Sequence, residues 1–329
     1  MAENKMLPVT LDCDPGADDV FGILWLLINH QFAHLPMKLV GITTVGGNVS
    51  ADKTYANALR MCQFVGANDI AVGKDHRQIV SQDASHIHGD DGIGNLSAML
   101  PEVKLPAEEK DSVDMIIDAI HAHEHELVIL VTGPMTNIAL AEAREPGILA
   151  KCKKIIAMGG AIKTSGNVTP VAEFNISYDA ESAAQVFNAT RNIILIPLDL
   201  TTQMVFSDID MENCFKSVNN SKKEEFMRAL TKFTTGTNMM FRETAYDKGF
   251  YVHDAHTVGM LLYPHIYKGT FYDVHVETKG ELTKGETVVD VRNHARTEVN
   301  SFVAMDFDKR LFLEAITEDF KQFDFSDTH

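Results

Sequence analysis

Short apolar runs alternate along the chain with longer stretches of helical periodicity, and this alternation restricts the fold more than any other feature. Five runs rich in Val, Ile and Leu lack strict polar alternation, as strands covered on both faces do: residues 8–11, 39–44, 127–132, 154–158 and 193–198. Helical stretches lie between them at residues 19–28, 51–65, 112–123 and 179–187, with Ser112 expected to be the N-cap of the third. The pattern predicts an α/β fold with a mostly parallel central sheet flanked by helices.

The rest of the chain gives no sign of a second unit. After about residue 201 the pattern becomes more helical and polar, and β character returns at residues 270–291. No Ser/Gly-rich linker, low-complexity tract or internal repeat separates these regions. A chain of 329 residues that is 45% hydrophobic can bury a large core. We therefore predict one domain over residues 1–329, built on a Rossmann-like sheet.

Charge and cysteine content exclude several classes of partner. The formal net charge is −17, whereas nucleic acids and anionic membranes are bound by clustered Lys and Arg, so neither partner is expected. The four cysteines, Cys13, Cys62, Cys152 and Cys214, show neither CxxC spacing nor disulfide density, which favours reduced, mostly buried thiols. The N-terminus has no apolar signal segment, and the apolar run at residues 21–28 is too short to span a bilayer. These features predict a cytoplasmic protein.

The strongest local signal is an acidic cluster between the first strand and the first helix. Residues 12–19 read Asp-Cys-Asp-Pro-Gly-Ala-Asp-Asp. Two carboxylates about 4 Å apart repel each other by about 4 kcal/mol at an effective dielectric near 20, so converging aspartates need a cation or extra protons. The carboxyl end of a strand is where open α/β sheets bind ligands. All-oxygen donors suit calcium or magnesium rather than zinc. The alternative is a solvated acidic turn that caps the helix.

Four further segments are weak signals individually. The pair at 253–254 joins His to Asp in an apolar context, although such pairs are more often surface or core details. Residues 131–137 end a strand in a Gly-Pro turn, which is also an ordinary βα turn. Residues 86–94 pair two histidines before a glycine-rich loop but lack a third zinc ligand, so a substrate-contacting histidine is preferred. Polar residues in 166–175 suit hydrogen bonds to hydroxyl groups.

Together these segments resemble the inosine-uridine-preferring nucleoside hydrolase family. The family's DxDPGxDD opening stands at residues 12–19, and residues 42–48 look like its second signature. Further matches follow in family order at 86–94, 132–137, 158–160, 173–175, 197–199 and 253–254. The resemblance extends from about Pro8 to beyond Val291. It implies hydrolysis of the N-glycosidic bond of ribonucleosides to free base and ribose.

The resemblance also implies a Ca²⁺ ion and the residues that bind it. Asp14, Asp19 and Asp254 would bind calcium through their carboxylates, and Thr132 would contribute its backbone carbonyl. Water and two ribose hydroxyls would occupy the remaining positions, and such a mixed oxygen shell suits calcium. Asp14 would also act as the general base on the attacking water.

Substrate contacts can be carried over in the same way. Asp18, Asn48 and Asn175 would contact the ribose 2′- and 3′-hydroxyls, while Asn167 and Glu173 would hold the 5′-hydroxyl. These contacts would position C1′ for attack, and neighbouring carboxylates would stabilise an oxocarbenium-like ribosyl group.

On the base side, the resemblance implies that His253, together with His88, assists the departing base by donating a proton or hydrogen bond. Relatives that favour purines stack the base between aromatic residues, but the one tryptophan, Trp25, lies in the first predicted helix. We therefore predict a pyrimidine-preferring or broad-range enzyme acting on uridine and inosine. Three phenylalanines are further candidates for the base pocket, although aromatic residues in this region are more often core residues: Phe233, Phe241 and Phe250.

The chain departs from the family pattern at two places. Relatives often read Leu-Asp-Val-Thr-His after the fifth strand, whereas residues 198–202 here read Leu-Asp-Leu-Thr-Thr. Residues 242–250 form a longer insert that puts base-pocket details carried from the family in doubt. The family commonly forms tetramers or dimers, which implies a homotetramer or homodimer.

Two functions of other classes remain open at this point. Haloacid-dehalogenase-type phosphatases also begin with a strand and an Asp-x-Asp motif and use magnesium, but this chain has Pro15-Gly16 where they need Thr or an apolar residue, and phosphate-binding Lys and Arg are missing. A calcium-dependent binding protein would keep the aspartates but has no need for His253 beside the metal.

Overall fold

A nine-stranded sheet forms the centre of the computed structural model, which describes residues 6–17, 19–32, 36–77, 84–215, 221–236, 249–292 and 298–325. The strands of the described residues are β1 Leu7–Cys13, β2 Met37–Thr44, β3 Val72–Lys74, β4 Lys110–Asp111, β5 Val128–Val131, β6 Lys154–Met158, β7 Ile193–Ile196, β8 Tyr267–Tyr272, β9 Val274–Val276, β10 Thr287–Val289 and β11 Ser301–Phe307. The sheet order is β4-β3-β2-β1-β5-β6-β7-β11-β8, and β9 and β10 pair separately.

All neighbouring strands of the large sheet are parallel except β8, which runs antiparallel to β11. The chain leaves β1 toward β2, β3 and β4 on one side, then returns to place β5, β6 and β7 on the other. This reversal creates a crevice at the carboxyl ends of β1 and β5, which is where open α/β sheets bind their ligands. The five predicted strands are confirmed as β1, β2, β5, β6 and β7.

Helices cover both faces of this sheet. In the described part of the chain they are α1 Asp19–Phe32, α2 Ala51–Val65, α3 Ser85–His88, α4 Ser112–Ala122, α5 Thr136–Arg144, α6 Phe174–Tyr178, α7 Ala180–Ala189, α8 Leu198–Thr201, α9 Asp208–Phe215, α10 Lys222–Thr234, α11 Ala255–Leu262 and α12 Lys309–Phe320. Alternate residues of β5 face the two layers: Val128 and Leu130 pack into one core cluster, Ile129 and Val131 into the other. The predicted α/β class with a mostly parallel, helix-flanked sheet is confirmed.

One predicted helix cap is wrong by one residue. Asp111 caps α4, since its carboxylate accepts hydrogen bonds from the N–H groups of Val113 at 2.9 Å and Asp114 at 3.0 Å. Ser112 instead donates its hydroxyl to the carbonyl of Thr44, at 2.9 Å, and so joins α4 to the end of β2. The four cysteines are buried and form no disulfide, as predicted.

No helix within the described ranges has both the length and the apolar character needed to cross a bilayer. The assignment of residues 1–329 to one domain stays a prediction.

Candidate active site

Residues from several predicted motifs converge on one cavity of about 270 Å³ at the carboxyl edge of the sheet. It is lined by Asp19, Asn48, Ala84, Ile87, His88, Thr132, Met158, Asn167, Val168, Glu173, Phe174, Asn175, His253 and Asp254. The structure thus brings together nine of the predicted site residues, namely Asp19, Asn48, His88, Thr132, Asn167, Glu173, Asn175, His253 and Asp254. Asp14 is fully buried and contacts Asn48. Asp18 lies outside the described residues.

The Asp14 carboxylate occupies a space that two glycines leave open. Its Oδ2 accepts a hydrogen bond from the Asn48 N–H at 2.8 Å. A β-carbon on Gly47 would overlap this Oδ2, and one on Gly133 would lie 2.7 Å from Oδ1. Only glycine at these two strand ends lets the backbone approach the carboxylate so closely.

Asn48 also connects Asp14 to the second predicted carboxylate. Its Nδ2 donates to the Asp19 Oδ2 at 2.8 Å and to the Asp14 carbonyl at 3.1 Å. The same Asp19 oxygen accepts from the Gly16 N–H at 2.7 Å, which places the carboxylate at the positive end of α1. A β-carbon on Gly16 would lie 2.6 Å from the Asp19 Oδ2.

Thr132 and Asn175 meet where β5 and β6 end. The Thr132 N–H donates to the Asp12 carbonyl at 2.9 Å, which continues the pairing of β5 with β1. Asn175 Nδ2 lies 3.3 Å from the carbonyl oxygens of both Thr132 and Met158. The predicted metal ligand and a predicted ribose contact are therefore direct neighbours.

Glu173 and Asn167 organise the backbone of the loop that follows β6. Glu173 caps α6 and accepts from the N–H groups of Asn175 at 2.9 Å, Ile176 at 3.1 Å and Gly160 at 2.9 Å. Burial raises the pKa of Glu173, although these backbone hydrogen bonds act in the opposite direction. Asn167 Oδ1 accepts from the Phe174 N–H at 2.9 Å.

Both predicted histidines are buried, and each uses Nδ1 for a hydrogen bond within the protein. His88 Nδ1 accepts from the Ala17 N–H at 3.2 Å, so the neutral ring carries its proton on Nε2. His253 Nδ1 lies 2.6 Å from Thr201 Oγ1. Both rings line the cavity together with the apolar side chains of Ile87 and Val168.

The chemistry of the predicted metal ligands fits a hard divalent cation, because all donors are carboxylate or carbonyl oxygens. Burial raises the pKa of the Cys13 thiol well above its ordinary value, and the charges of Asp12, Asp19, Asp14 and Asp254 raise it further. The negative charges of these four carboxylates therefore all lie close enough to affect one buried thiol. Within the described ranges, no three His, Cys, Asp or Glu side chains form a compact metal-binding cluster. Calcium coordination by Asp14, Asp19, Thr132 and Asp254 stays a prediction.

Comparisons with known proteins point to one family. The family model described as inosine-uridine preferring nucleoside hydrolase matches residues 9–314. The chain belongs to this family. The inosine-uridine preferring nucleoside hydrolase of Leishmania major is 37% identical over 92% of this chain and 94% of its own. The pyrimidine-specific ribonucleoside hydrolase RihA of an Enterobacter species is 31% identical over 96% and 98%.

A solved structure agrees with this assignment. The purine-preferring ribonucleoside hydrolase from Gardnerella vaginalis superimposes with a TM-score of 0.85 at 29% identity, covering 96% of this chain and 98% of that one. The predicted family and enzyme class, a nucleoside hydrolase, are confirmed.

One buried hydrogen-bond network of this nucleoside hydrolase, centred on Asp12, was not predicted from the sequence motifs. Asp12 Oδ1 accepts from Thr43 Oγ1 at 2.7 Å and from Asn137 Nδ2 at 2.8 Å. Asn137 Oδ1 in turn accepts from Arg77 Nη2 at 2.6 Å. Burial raises the pKa of Asp12 to about 7, against the lowering effect of these two hydrogen bonds. Asp12 does not line the cavity. Its hydrogen bonds join β1 to β2 and to α5, so this residue of the opening motif has a structural role.

Proposed function

We propose that this nucleoside hydrolase cleaves ribonucleosides to free base and ribose in a calcium-dependent reaction, with a pyrimidine-preferring or broad range that includes uridine and inosine. The observation that carries the proposal is the composition of the one cavity. Its lining combines three predicted metal ligands and the two histidines predicted for the base with four predicted ribose contacts, namely Asn48, Asn167, Glu173 and Asn175. Groups proposed for the metal, the ribose and the base therefore face one cavity, and the proposed general base Asp14 lies behind Asn48 at its wall.

Asp14, Asp19 and Asp254, with the Thr132 carbonyl, would hold the calcium ion. Bound there, the ion would supply Lewis acidity that makes a water molecule easier to deprotonate. Asp14 takes the proton of the attacking water. Its burial and its hydrogen bond from the Asn48 N–H fix the carboxylate in one orientation, which is what a general base requires.

The ribose is held by polar groups whose own positions are fixed by the backbone. Asp18, Asn48 and Asn175 would bind the 2′- and 3′-hydroxyls, and Asn167 and Glu173 the 5′-hydroxyl. Glu173 is already fixed by three backbone N–H donors, so it is pre-organised to accept from a hydroxyl.

His253 and His88 serve the departing base. As the bond from C1′ to the base nitrogen breaks, its electron pair moves to the base, and a ring N–H can neutralise the developing charge. His88 carries its proton on Nε2 when it is neutral, because Nδ1 accepts from Ala17. It can therefore donate a hydrogen bond to the base.

The proposed base range rests on the cavity lining, since similar relatives carry inosine-uridine, pyrimidine and purine preferences in their names. Trp25 is fully buried in α1 and donates to Asp319 at 2.7 Å, so it does not reach the cavity. Phe250 is a core residue, and Phe233 packs against the same core. Phe241 and residues 242–248 of the longer insert lie outside the described residues. Tryptophan stacking of a purine therefore does not enter the proposal.

We further propose a homotetramer or homodimer in the cytoplasm, with the nucleoside as the small-molecule partner. The high negative charge supports the expectation that neither nucleic acid nor membrane is a partner.

Ribose release from uridine, cytidine, inosine, guanosine and adenosine tests the proposal. Wild type and Asp14→Ala are assayed without phosphate, with Ca²⁺ or with a chelator. We expect hydrolysis by wild type with Ca²⁺, loss with the chelator, and a loss of about a thousandfold in the variant. Turnover of uridine at least equal to that of guanosine and adenosine is expected. No ribose from any nucleoside would contradict the proposed reaction, and a strong preference for inosine or guanosine over uridine would contradict the proposed base range.

A further inference from the structure

The Thr201 hydroxyl and the His253 imidazole form a buried contact whose role the sequence motifs do not explain. Thr201 Oγ1 lies 2.6 Å from His253 Nδ1, across 52 residues of sequence. Thr201 is fully buried and does not line the cavity, whereas His253 does. We propose that Thr201 is a positioning residue, which holds His253 through Nδ1 so that Nε2 delivers a proton to the departing base. This inference rests on the proposed nucleoside hydrolysis.

Thr201 is well placed to hold another group because α8 is fixed at several points. The Leu198 N–H donates to the Gly160 carbonyl at 2.9 Å. Asp199 accepts from the N–H groups of Ile162 at 2.8 Å and Lys163 at 2.7 Å. These bonds tie the short helix to the loop after β6, so α8 cannot move independently of the site.

A second connection joins α8 to β11, the strand beside β7. Gln203, two residues after Thr201, donates Nε2 to the Asp199 carbonyl at 2.7 Å and to the Met305 carbonyl in β11 at 2.8 Å. The Thr201 hydroxyl therefore has a position set by β6 and β11 together.

The segment that carries His253 is paired with the chain that follows α8. Phe206 and Phe250 exchange two backbone hydrogen bonds, of 2.8 and 3.1 Å, in an antiparallel bridge. His253 is three residues beyond this bridge and Thr201 five residues before it. The bridge brings the two segments side by side, and the contact between Thr201 and His253 fixes the orientation of the imidazole ring.

The chemical consequence follows from the two nitrogens of an imidazole. The proton-donating form of His253 is the imidazolium, which has an N–H on both nitrogens. Its Nδ1–H can therefore donate to Thr201 Oγ1 both before and after the Nε2 proton is released. In the reaction, the bond from C1′ to the base breaks with its electron pair moving to the base, and the His253 Nε2 proton goes to that base. The water oxygen bonds to C1′, one of its protons goes to Asp14 and the other stays on the new hydroxyl group. His253 goes from the imidazolium to the neutral ring with its proton on Nδ1, so atoms and charge balance. Without the Thr201 hydroxyl, the ring turns and proton delivery fails.

The test compares two leaving groups. Uridine needs a proton on its base, whereas the phenolate of 4-nitrophenyl β-D-riboside leaves without one at neutral pH. For Thr201→Val, we expect kcat with uridine to fall by about a hundredfold at nearly unchanged KM, while kcat with the aryl riboside falls by less than about fivefold. His253→Ala should show the same separation. Adding Thr201→Val to His253→Ala should cause little further loss, because both changes remove one function.

Matched variants separate positioning from a structural role. Thr201→Ser keeps the hydroxyl and should retain uridine hydrolysis within about fivefold. Thr202→Val is the same substitution one residue later, where the hydroxyl donates to the Leu198 carbonyl within its own helix, and it should leave both substrates unaffected. Thr201→Ala provides a second hydroxyl-free variant, and the melting temperature of each variant identifies those that are folded.

Each outcome has one meaning. Equal losses on both substrates in folded Thr201→Val, or no loss on uridine, overturn the inference while the proposed function stands. If wild type releases ribose from no nucleoside, the proposed function fails and the inference fails with it.

Discussion

Two groups of residues in this nucleoside hydrolase are held in different ways, and the first is built on the sheet. We call it the strand-end group: Asp14, Asn48 and Thr132, which follow β1, β2 and β5 closely. The Asn48 N–H donates to the Asp14 carboxylate, and the Thr132 N–H continues the sheet pairing with β1. The position of this group is therefore set by strand register, which shifts only if the sheet does.

The second, the loop group, consists of His88, Asn167 and His253. Each is tied to the rest of the protein by a hydrogen bond to a loop or helix end: His88 to Ala17, Asn167 to the Phe174 N–H, and His253 to Thr201. The two groups therefore differ in what holds their side chains in place. Asp14, Asn48 and Thr132, proposed for the metal and the ribose, follow strands of the sheet, whereas Asn167, proposed for the 5′-hydroxyl, and the two histidines proposed for the base lie outside the strands.

Gly47→Ala is the strongest way to break the strand-end group. Its new β-carbon would overlap the Asp14 Oδ2, and the fixed sheet offers no room for the carboxylate to retreat. We expect kcat for nucleoside hydrolysis to fall by at least about a hundredfold, because a displacement of about 1 Å at a reacting group has that effect. Steady-state kinetics with uridine measure it.

Gly41→Ala is the matched control, since it makes the same change in the strand that leads to Gly47. Its β-carbon would meet the methyl end of Met115 at 3.1 Å, a flexible group that can move aside. We expect kcat to change by less than about threefold, because the substitution lies away from the reacting groups. Equal losses in the two variants would show that general damage to β2, and not the Asp14 contact, causes the effect.

The strand-end group was largely predictable from sequence, and the reason is physical. A buried parallel strand needs a continuous apolar run, so the run before Asp12 located β1 and hence the sheet edge where ligands bind. The short strands β3 and β4, of three and two residues, carry no such run and were not predicted. The last strand, β11, and the helix α12 that follows it were missed as well.

Tertiary contacts explain what sequence reasoning could not reach. Ser112 has the composition of a helix cap, but its hydroxyl is taken by the Thr44 carbonyl, 68 residues away, and the cap falls to Asp111. The contact between Thr201 and His253 has no local signal either, because it depends on the bridge between Phe206 and Phe250. The local sequence provided only weak signals for the loop group, and the specific roles of its residues came from the family resemblance.

Gly22→Ala sharpens the comparison by moving one ligand-bearing helix against another. A β-carbon on Gly22 of α1 would lie 3.0 Å from the Ala255 nitrogen and 3.2 Å from the Asp254 carbonyl carbon. The helix starts that carry Asp19 and Asp254 must then separate slightly. We expect the affinity for Ca²⁺, measured by calorimetry without substrate, to fall by roughly tenfold, an effect typical of changes around metal ligands.

Stability provides the control for this variant. Alanine is favoured over glycine in a helix by about 1 kcal/mol, which offsets part of the crowding between α1 and α11. The melting temperature without Ca²⁺ should therefore change little. A large fall in melting temperature with unchanged Ca²⁺ affinity would show that Gly22 serves packing only and does not set the distance between Asp19 and Asp254.

Glu173→Gln should give the smallest effect, and its sign depends on pH. Burial raises the pKa of Glu173 in the folded protein, so wild type loses stability as pH rises from the unfolded pKa through the folded one. Glutamine does not ionise. The glutamine amide group also replaces one of the carboxylate oxygens that accept from backbone N–H groups. The stability lost in this way does not depend on pH. The free energy of unfolding of Glu173→Gln minus that of wild type should therefore increase with pH across this window. Urea titrations at several pH values measure the difference, and a flat or falling trend would show that burial does not penalise the charged carboxylate.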